Sequence, residues 1–123
     1  MQAGRMVYLV ESDESIVDGV KVLLGCYQIT VESYLDAGSL LDAAPFPENT
    51  AACLVIAASL PNVSGLALVR KLRGQGCQLP VIVLSDTSDG DLHAAAIEAG
   101  ATELIEKPFV NVSLVERILG LLG

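Results

Sequence analysis

Apolar residues fall along this chain in two alternating rhythms. Short runs of Val, Ile and Leu bounded by turn residues alternate with longer stretches in which apolar positions recur every three or four residues. That alternation predicts strand and helix in strict succession. The run Ala51–Ser59 organises the rest. It is short, apolar at both parities and rich in small or β-branched residues, which is the habit of a central strand buried on both faces of a parallel sheet. Pro61 and Gly65 follow too closely for a helix to replace it.

The other elements follow in order. Met6–Val10 reads as a short strand, and Ile16, Val20, Leu23 and Tyr27 recur at helical spacing behind it, with Ser12 or Asp13 placed to cap the helix and Gly25 near its end. Ile29–Tyr34 alternates as an outer strand. Asp36 can cap a short helix through Leu40 and Leu41 that ends before Pro45, and 46–50 is a loop. Beyond the central strand, Ser64 caps a helix that turns Leu66, Val69 and Leu72 to the core and Arg70, Lys71 and Arg73 to water, until Gly74 and Gly76 stop it. Val81–Ser85 is a strand opened by Pro80. Ser88-Asp89-Gly90-Asp91 resembles a capping box for a helix that stops at Gly100. Thr102–Glu106 is the last strand, and Lys107-Pro108-Phe109 turns the chain into a terminal helix with Val115, Ile118, Leu119 and Leu122 on one stripe.

Five strands alternating with five helices predict one architecture. Right-handed crossovers between parallel strands put helices on both faces, giving an α/β three-layer (βα)5 doubly wound sandwich with a crevice at the C-terminal ends of the strands. The length of 123 residues makes this a single domain, 1–123, compatible with the N-terminal part of a longer protein.

Charge narrows the chemistry. Fifteen acidic against seven basic residues give a formal charge of −8, which excludes a nucleic-acid surface on this domain, because phosphate binding needs clustered Lys and Arg. Cys26, Cys53 and Cys77 lack metal-ligand spacing; Cys53 reads as a core residue and the other two as thiols of a reducing compartment. No apolar run approaches a signal or spanning segment, so the expected location is cytoplasmic, with no membrane partner. His93, the only histidine, reads as a solvated helix residue.

Candidate chemistry collects at the strand ends: Glu11-Ser12-Asp13 after the first, Ser85-Asp86 after the fourth and Lys107 after the fifth. Together with Val10-Glu11-Ser12-Asp13-Glu14-Ser15, Leu60-Pro61-Asn62-Val63-Ser64-Gly65-Leu66, Pro80–Ser85 and Ala99-Gly100-Ala101 ahead of Lys107-Pro108-Phe109, these residues give the chain its likeness. From Val7 to Leu122 it resembles the receiver domain of two-component response regulators, the flavodoxin/CheY-like fold with strand order 2-1-3-4-5. The resemblance implies an acidic pair, an acceptor aspartate, a Ser or Thr and a lysine that together hold Mg²⁺ and accept a phosphoryl group. Here the acceptor position is Ala57, the acidic pair is Glu11 and Ser12, and Ser85 and Lys107 keep the family's residue types.

A methyl group has no oxygen with which to attack phosphorus. The expectation is therefore an atypical receiver that signals by protein contact, is not an enzyme, binds Mg²⁺ weakly or not at all and needs no cofactor. Asp13 and Asp86 are the substitute acceptors to weigh, although Asp13 reads better as a helix cap and Asp86 as a turn residue. Lys107, without an aspartate partner, is expected either to pair with Glu11 or Asp13 or to stay solvated. The family's aromatic switch position is Leu104, and Lys107-Pro108 resembles its cis peptide. The resemblance further implies a partner or attached output domain, commonly controlling transcription, and homodimerisation through the fourth helix, fifth strand and fifth helix, where Leu92, Ala95, Ala96, Ala99, Leu114, Leu121 and Leu122 supply apolar material that reads equally well as core. Two rivals remain. The less charged crevice could sense a small molecule. A flavin enzyme of the same fold class conflicts with Glu11, Asp13 and Glu14 at the first turn, which would repel its phosphate.

Overall fold

A computed structural model describes residues 5–43, 46, 51–61, 63–86, 90–107 and 111–122. Five parallel strands form its sheet: β1 (Arg5–Val10), β2 (Ile29–Tyr34), β3 (Ala51–Ala57), β6 (Val81–Ser85) and β7 (Glu103–Glu106). Their order is β2-β1-β3-β6-β7, so the all-apolar β3 is central and β2 lies at an edge. Counting sheet strands alone, this is the expected 2-1-3-4-5. Two further strands, β4 (Ser59–Leu60) and β5 (Val63–Ser64), pair antiparallel as a small hairpin where a plain loop was expected.

Strand pleating splits the core in two. Tyr8, Val10, Leu54, Ile56, Val81, Val83 and Leu104 point to one face, where α2 (Ala37–Ala43), α3 (Gly65–Gly74) and α4 (Gly90–Ala99) cover them with Leu40, Leu66, Leu72 and Ala96. Their neighbours Val7, Leu9, Cys53, Val55, Ile82, Leu84 and Ile105 point to the other, under α1 (Glu14–Gly25) and α5 (Val112–Leu122), which contribute Val17, Val20, Leu24, Leu114, Val115 and Ile118. Each such aliphatic side chain contributes about 1.5–3 kcal/mol by leaving water. A continuous apolar strand is stable only with both faces so covered.

Local chemistry sets the boundaries. Asp13 caps α1, its carboxylate accepting from Ser15 N–H at 2.9 Å, and Ser12 takes no part. Asp36 caps α2 by accepting from Ser39 N–H at 2.8 Å, and Ser64 caps α3 by accepting from Ala67 N–H at 3.1 Å. The proposed capping box at 88–91 falls largely outside the described residues.

Three expectations are corrected. Helix α1 stops at Gly25, so Tyr27 lies in the following turn, 40% exposed, instead of extending the buried stripe. Strand β3 ends at Ala57, because Ser59 is taken by the hairpin. Arg73 does not face water. Its guanidinium donates to the carbonyls of Cys77 at 2.9 Å, Leu79 at 2.7 Å and Gly100 at 2.8 and 3.0 Å, tying the turn after α3 to the turn after α4.

Candidate functional site

Sheet register assembles the strand ends. Val10 pairs with Ile56, Ala57 with Leu84, and Ser85 with Glu106, so the next residues out, Glu11, Ala57, Ser85 and Lys107, run as a row across the C-terminal edge. The row is closed by Ala58 N–H donating to Leu84 O at 2.8 Å and Lys107 N–H donating to Ser85 O at 3.2 Å. The first three are buried, at 6%, 4% and 0% exposure, whereas Lys107, Ser12, Asp13 and Asp86 are exposed.

At the centre of the row stands Ala57. Its position is tightly enforced. Gly65 opens α3 directly against it: a Cβ on Gly65 would collide with the Ala57 carbonyl oxygen and lie 2.9 Å from its carbonyl carbon. Gly65 N–H donates to Ala58 O at 2.8 Å. Only glycine permits this approach.

Glu11 is turned inward and held locally. Its Oε1 accepts the Asp13 N–H at 3.0 Å, while its own N–H donates to Tyr34 O at 3.1 Å. Burial pushes its carboxyl above the usual glutamate range, opposed by the Asp13 and Ser12 amides and reinforced by the charges of Asp13 and Asp86. Asp13 moves the other way: hydrogen bonds from Ser15 hold it below the usual range, Ser15 Oγ approaching to 2.6 Å. Both carboxylates are thus committed to local backbone and cap contacts.

The expected ion pair is not formed. Among the described residues neither Glu11 nor Asp13 pairs with Lys107, which is exposed, in keeping with the solvated alternative; the ion pair present is between Arg117 and Glu103 at 2.6 Å. Glu11 is held by the Asp13 amide and Asp13 by Ser15. The candidate cis peptide at Lys107-Pro108 lies outside the described residues. Leu104 is buried in the face under α4 beside Ala96, Ala99 and Ala101.

The apolar residues expected on a dimer face are mostly core. Leu114 and Ala96 are fully buried and Ala99 nearly so, while Leu92 and Ala95 pack against one core and Leu121 and Leu122 against the other. Helical spacing alone could not separate the two faces of α4 and α5. Ile97, 45% exposed, and Val112, 54% exposed, are the large apolar side chains these helices show to solvent.

The sequence profile of the response regulator receiver domain matches residues 7–119. The chain belongs to that family. The receiver domain is 32% identical over 112 residues to the transcriptional regulatory protein TdiR of Thauera aromatica, covering 91% of this chain and 48% of that one. It is 28% identical over 118 residues to the transcriptional regulatory protein FixJ of Azorhizobium caulinodans, covering 95% and 54%. It therefore spans about half the length of these curated relatives. Among solved structures it superimposes on FixJ-N with a TM-score of 0.84 at 27% identity, covering 99% of this chain and 94% of that one. The response regulator StyR gives 0.85 at 29%, covering 98% and 60%.

Family membership implies a divalent cation at this edge, and the donor set does not fit one. Mg²⁺ demands near-octahedral oxygen ligation and gives up water reluctantly. Ala57 offers a methyl, Ser12 a hydroxyl, and the carboxylates of Glu11 and Asp13 are already hydrogen-bonded, the first of them biased toward its neutral form. Among the described residues no three His, Cys, Asp or Glu side chains converge as a metal site. No helix among them is long and apolar enough to cross a membrane.

Proposed function

We propose that this receiver domain transmits its signal through protein contact without forming an aspartyl phosphate. The observation that carries the reading is the buried methyl of Ala57 at the end of β3, between Glu11 and Ser85 in the row of strand ends. Phosphoryl transfer to a carboxylate needs an oxygen nucleophile in line with phosphorus and a counter-charge beside it. Alanine supplies neither, and the Glu11–Ser12 pair supplies one carboxylate where two are needed.

Substitute acceptors are poorly supported. Asp13 spends its Oδ1 on the cap of α1. Asp86 is exposed just past the end of β6, close enough for its charge to act on Glu11 but on a different strand end from Ala57. Leu104 also supports a fixed output, since an aliphatic side chain packed among Ala96, Ala99 and Ala101 has no polar tip to exchange between two environments.

The domain acts as a binding module and not an enzyme, in the cytoplasm, on an attached or partner output domain. Control of transcription is the reading that the names of TdiR and FixJ support. Self-association is assigned to the face of α4, β7 and α5 on the strength of exposed Ile97 and Val112. Amide spectra recorded with Mg²⁺ and trifluoroberyllate, a mimic of a bound phosphoryl group, test the reading. We expect no saturable shifts at the amides of Ala57, Ser85 and Lys107; saturable shifts there would overturn it.

A further inference from the structure

A groove opens beside the strand-end row, between three loops. Ser12 lies on one wall, Leu35–Gly38 form the junction of β2 with α2, and Pro61 and Val63 bring in the hairpin; the groove is open to solvent, with a volume of about 490 Å³. Hydrogen bonds within the fold hold its walls. Glu11 N–H to Tyr34 O, at 3.1 Å, joins the first wall to the end of β2, and Asp36 is held by its cap contact with Ser39. The hairpin is held by the pairing of Ser59 with Ser64 and by Gly65 N–H to Ala58 O. A preformed groove spares an occupant the cost of ordering it.

Two features describe what would fit. Leu35 and Val63 are 51% and 36% exposed on different loops, and both line the groove. Together they give the groove a small apolar floor, enough for one aliphatic side chain. The charge is one-sided: Asp36 lines the groove, Asp13 is exposed next to Ser12, and no Lys, Arg or His is among the lining residues. The cap hydrogen bonds hold the Asp36 carboxyl below the usual aspartate range, so it stays ionised. The whole chain carries a charge of −8, which steers cations toward it.

We propose that this groove docks a basic linear segment of a partner protein, an aliphatic side chain seating between Leu35 and Val63 while a neighbouring Lys or Arg meets Asp36. The proposal goes beyond the reading above: Ser12 is the one residue the two share, and Ala57, Ser85 and Lys107 take no part.

The test titrates the intact domain with the capped peptide acetyl-Arg-Leu-Lys-amide and follows amide shifts. Saturable shifts at Leu35, Gly38 and Val63 are expected. Replacing the peptide's leucine by glycine should weaken them about tenfold, as loss of a buried aliphatic side chain requires. Asp36→Asn keeps an oxygen for the cap and removes the charge; it should weaken binding about two- to fivefold and flatten the salt dependence. Equal binding of spermidine or of the glycine peptide would make this a small-cation site and overturn the proposal. Groove shifts that track protein concentration without peptide would assign it to a second copy of this chain, and would overturn it too, as would no saturable shift.

Discussion

Replacing Gly65 by alanine probes the contact that fixes the centre of the site. The new Cβ would sit 2.9 Å from the Ala57 carbonyl carbon and 3.0 Å from Ala58 Cα, besides colliding with the Ala57 oxygen. Carbon–carbon contacts are comfortable only near 3.5–4.0 Å, so α3 and the end of β3 must part by about 1 Å. Every opposing atom is backbone, and no side chain can rotate away. Separation at that scale breaks the 2.8 Å hydrogen bond from Gly65 N–H to Ala58 O, about 0.5–1.5 kcal/mol, and overpacks the junction by about 1–3 kcal/mol. The expected loss is about 2–4 kcal/mol. With a urea m-value of about 1–3 kcal/mol/M, the unfolding midpoint should fall by roughly 1 M or more at unchanged slope. Gly25→Ala and Gly74→Ala are internal controls: both glycines are helical with nothing within 4 Å, and alanine there should stabilise by about 0.4–1 kcal/mol. A Gly65→Ala midpoint indistinguishable from wild type would refute the reasoning.

Other expectations follow from single contacts. Arg73→Ala removes four charge-assisted bonds to three carbonyls and should cost about 2–4 kcal/mol in urea unfolding; Arg73→Lys should recover little of it, because one ammonium cannot fork to all three. Glu11→Gln keeps an oxygen for the Asp13 amide and removes a buried charge. Because burial raises the Glu11 pKa in the folded state, its protonated form stabilises the fold, and that stabilisation is lost as pH rises through the folded pKa. The variant should therefore be the more stable at pH 7 in paired denaturation curves, with the gap closing as pH falls toward 4.5; a gap that widens on acidification contradicts this sign. Aromatic disulfide reagents should label exposed Cys26 promptly. Fully buried Cys53, its thiol pushed up to about 12, should stay unlabelled until the domain unfolds.

Most of the fold could be read from the sequence because its strongest signals are local. Val81–Ser85 follows a proline and is all Val, Ile and Leu until its last residue, and the strand has those bounds. Asp13, Asp36 and Ser64 cap the helices they were expected to cap, since a cap joins neighbours in sequence. What escaped notice depends on distant partners. Arg73 follows Arg70 and Lys71 and looks like a solvated face, yet the carbonyls that bind it exist only once the turns at 77–79 and 100 meet. The hairpin of β4 and β5 has two-residue strands, too short to show any period. Leu114, Ala96 and Ala99 read equally well as surface or core, and packing decided for the core. At the site, the row of strand ends was legible from motif spacing. The inward turn of Glu11 was not, because it depends on one backbone amide, Asp13 N–H, that points at the carboxylate only once the turn has formed.

One measurement bears most directly on the claim that Ala57 removes the reaction. The intact domain is incubated with acetyl phosphate and Mg²⁺, and its mass is recorded under mild conditions, followed by borohydride reduction and peptide mapping to locate any acyl phosphate. The account predicts an unchanged mass and no reduced aspartate at Asp13, Asp86 or elsewhere. A labile gain of one phosphoryl group, mapped to any carboxylate of the strand-end edge, would contradict it.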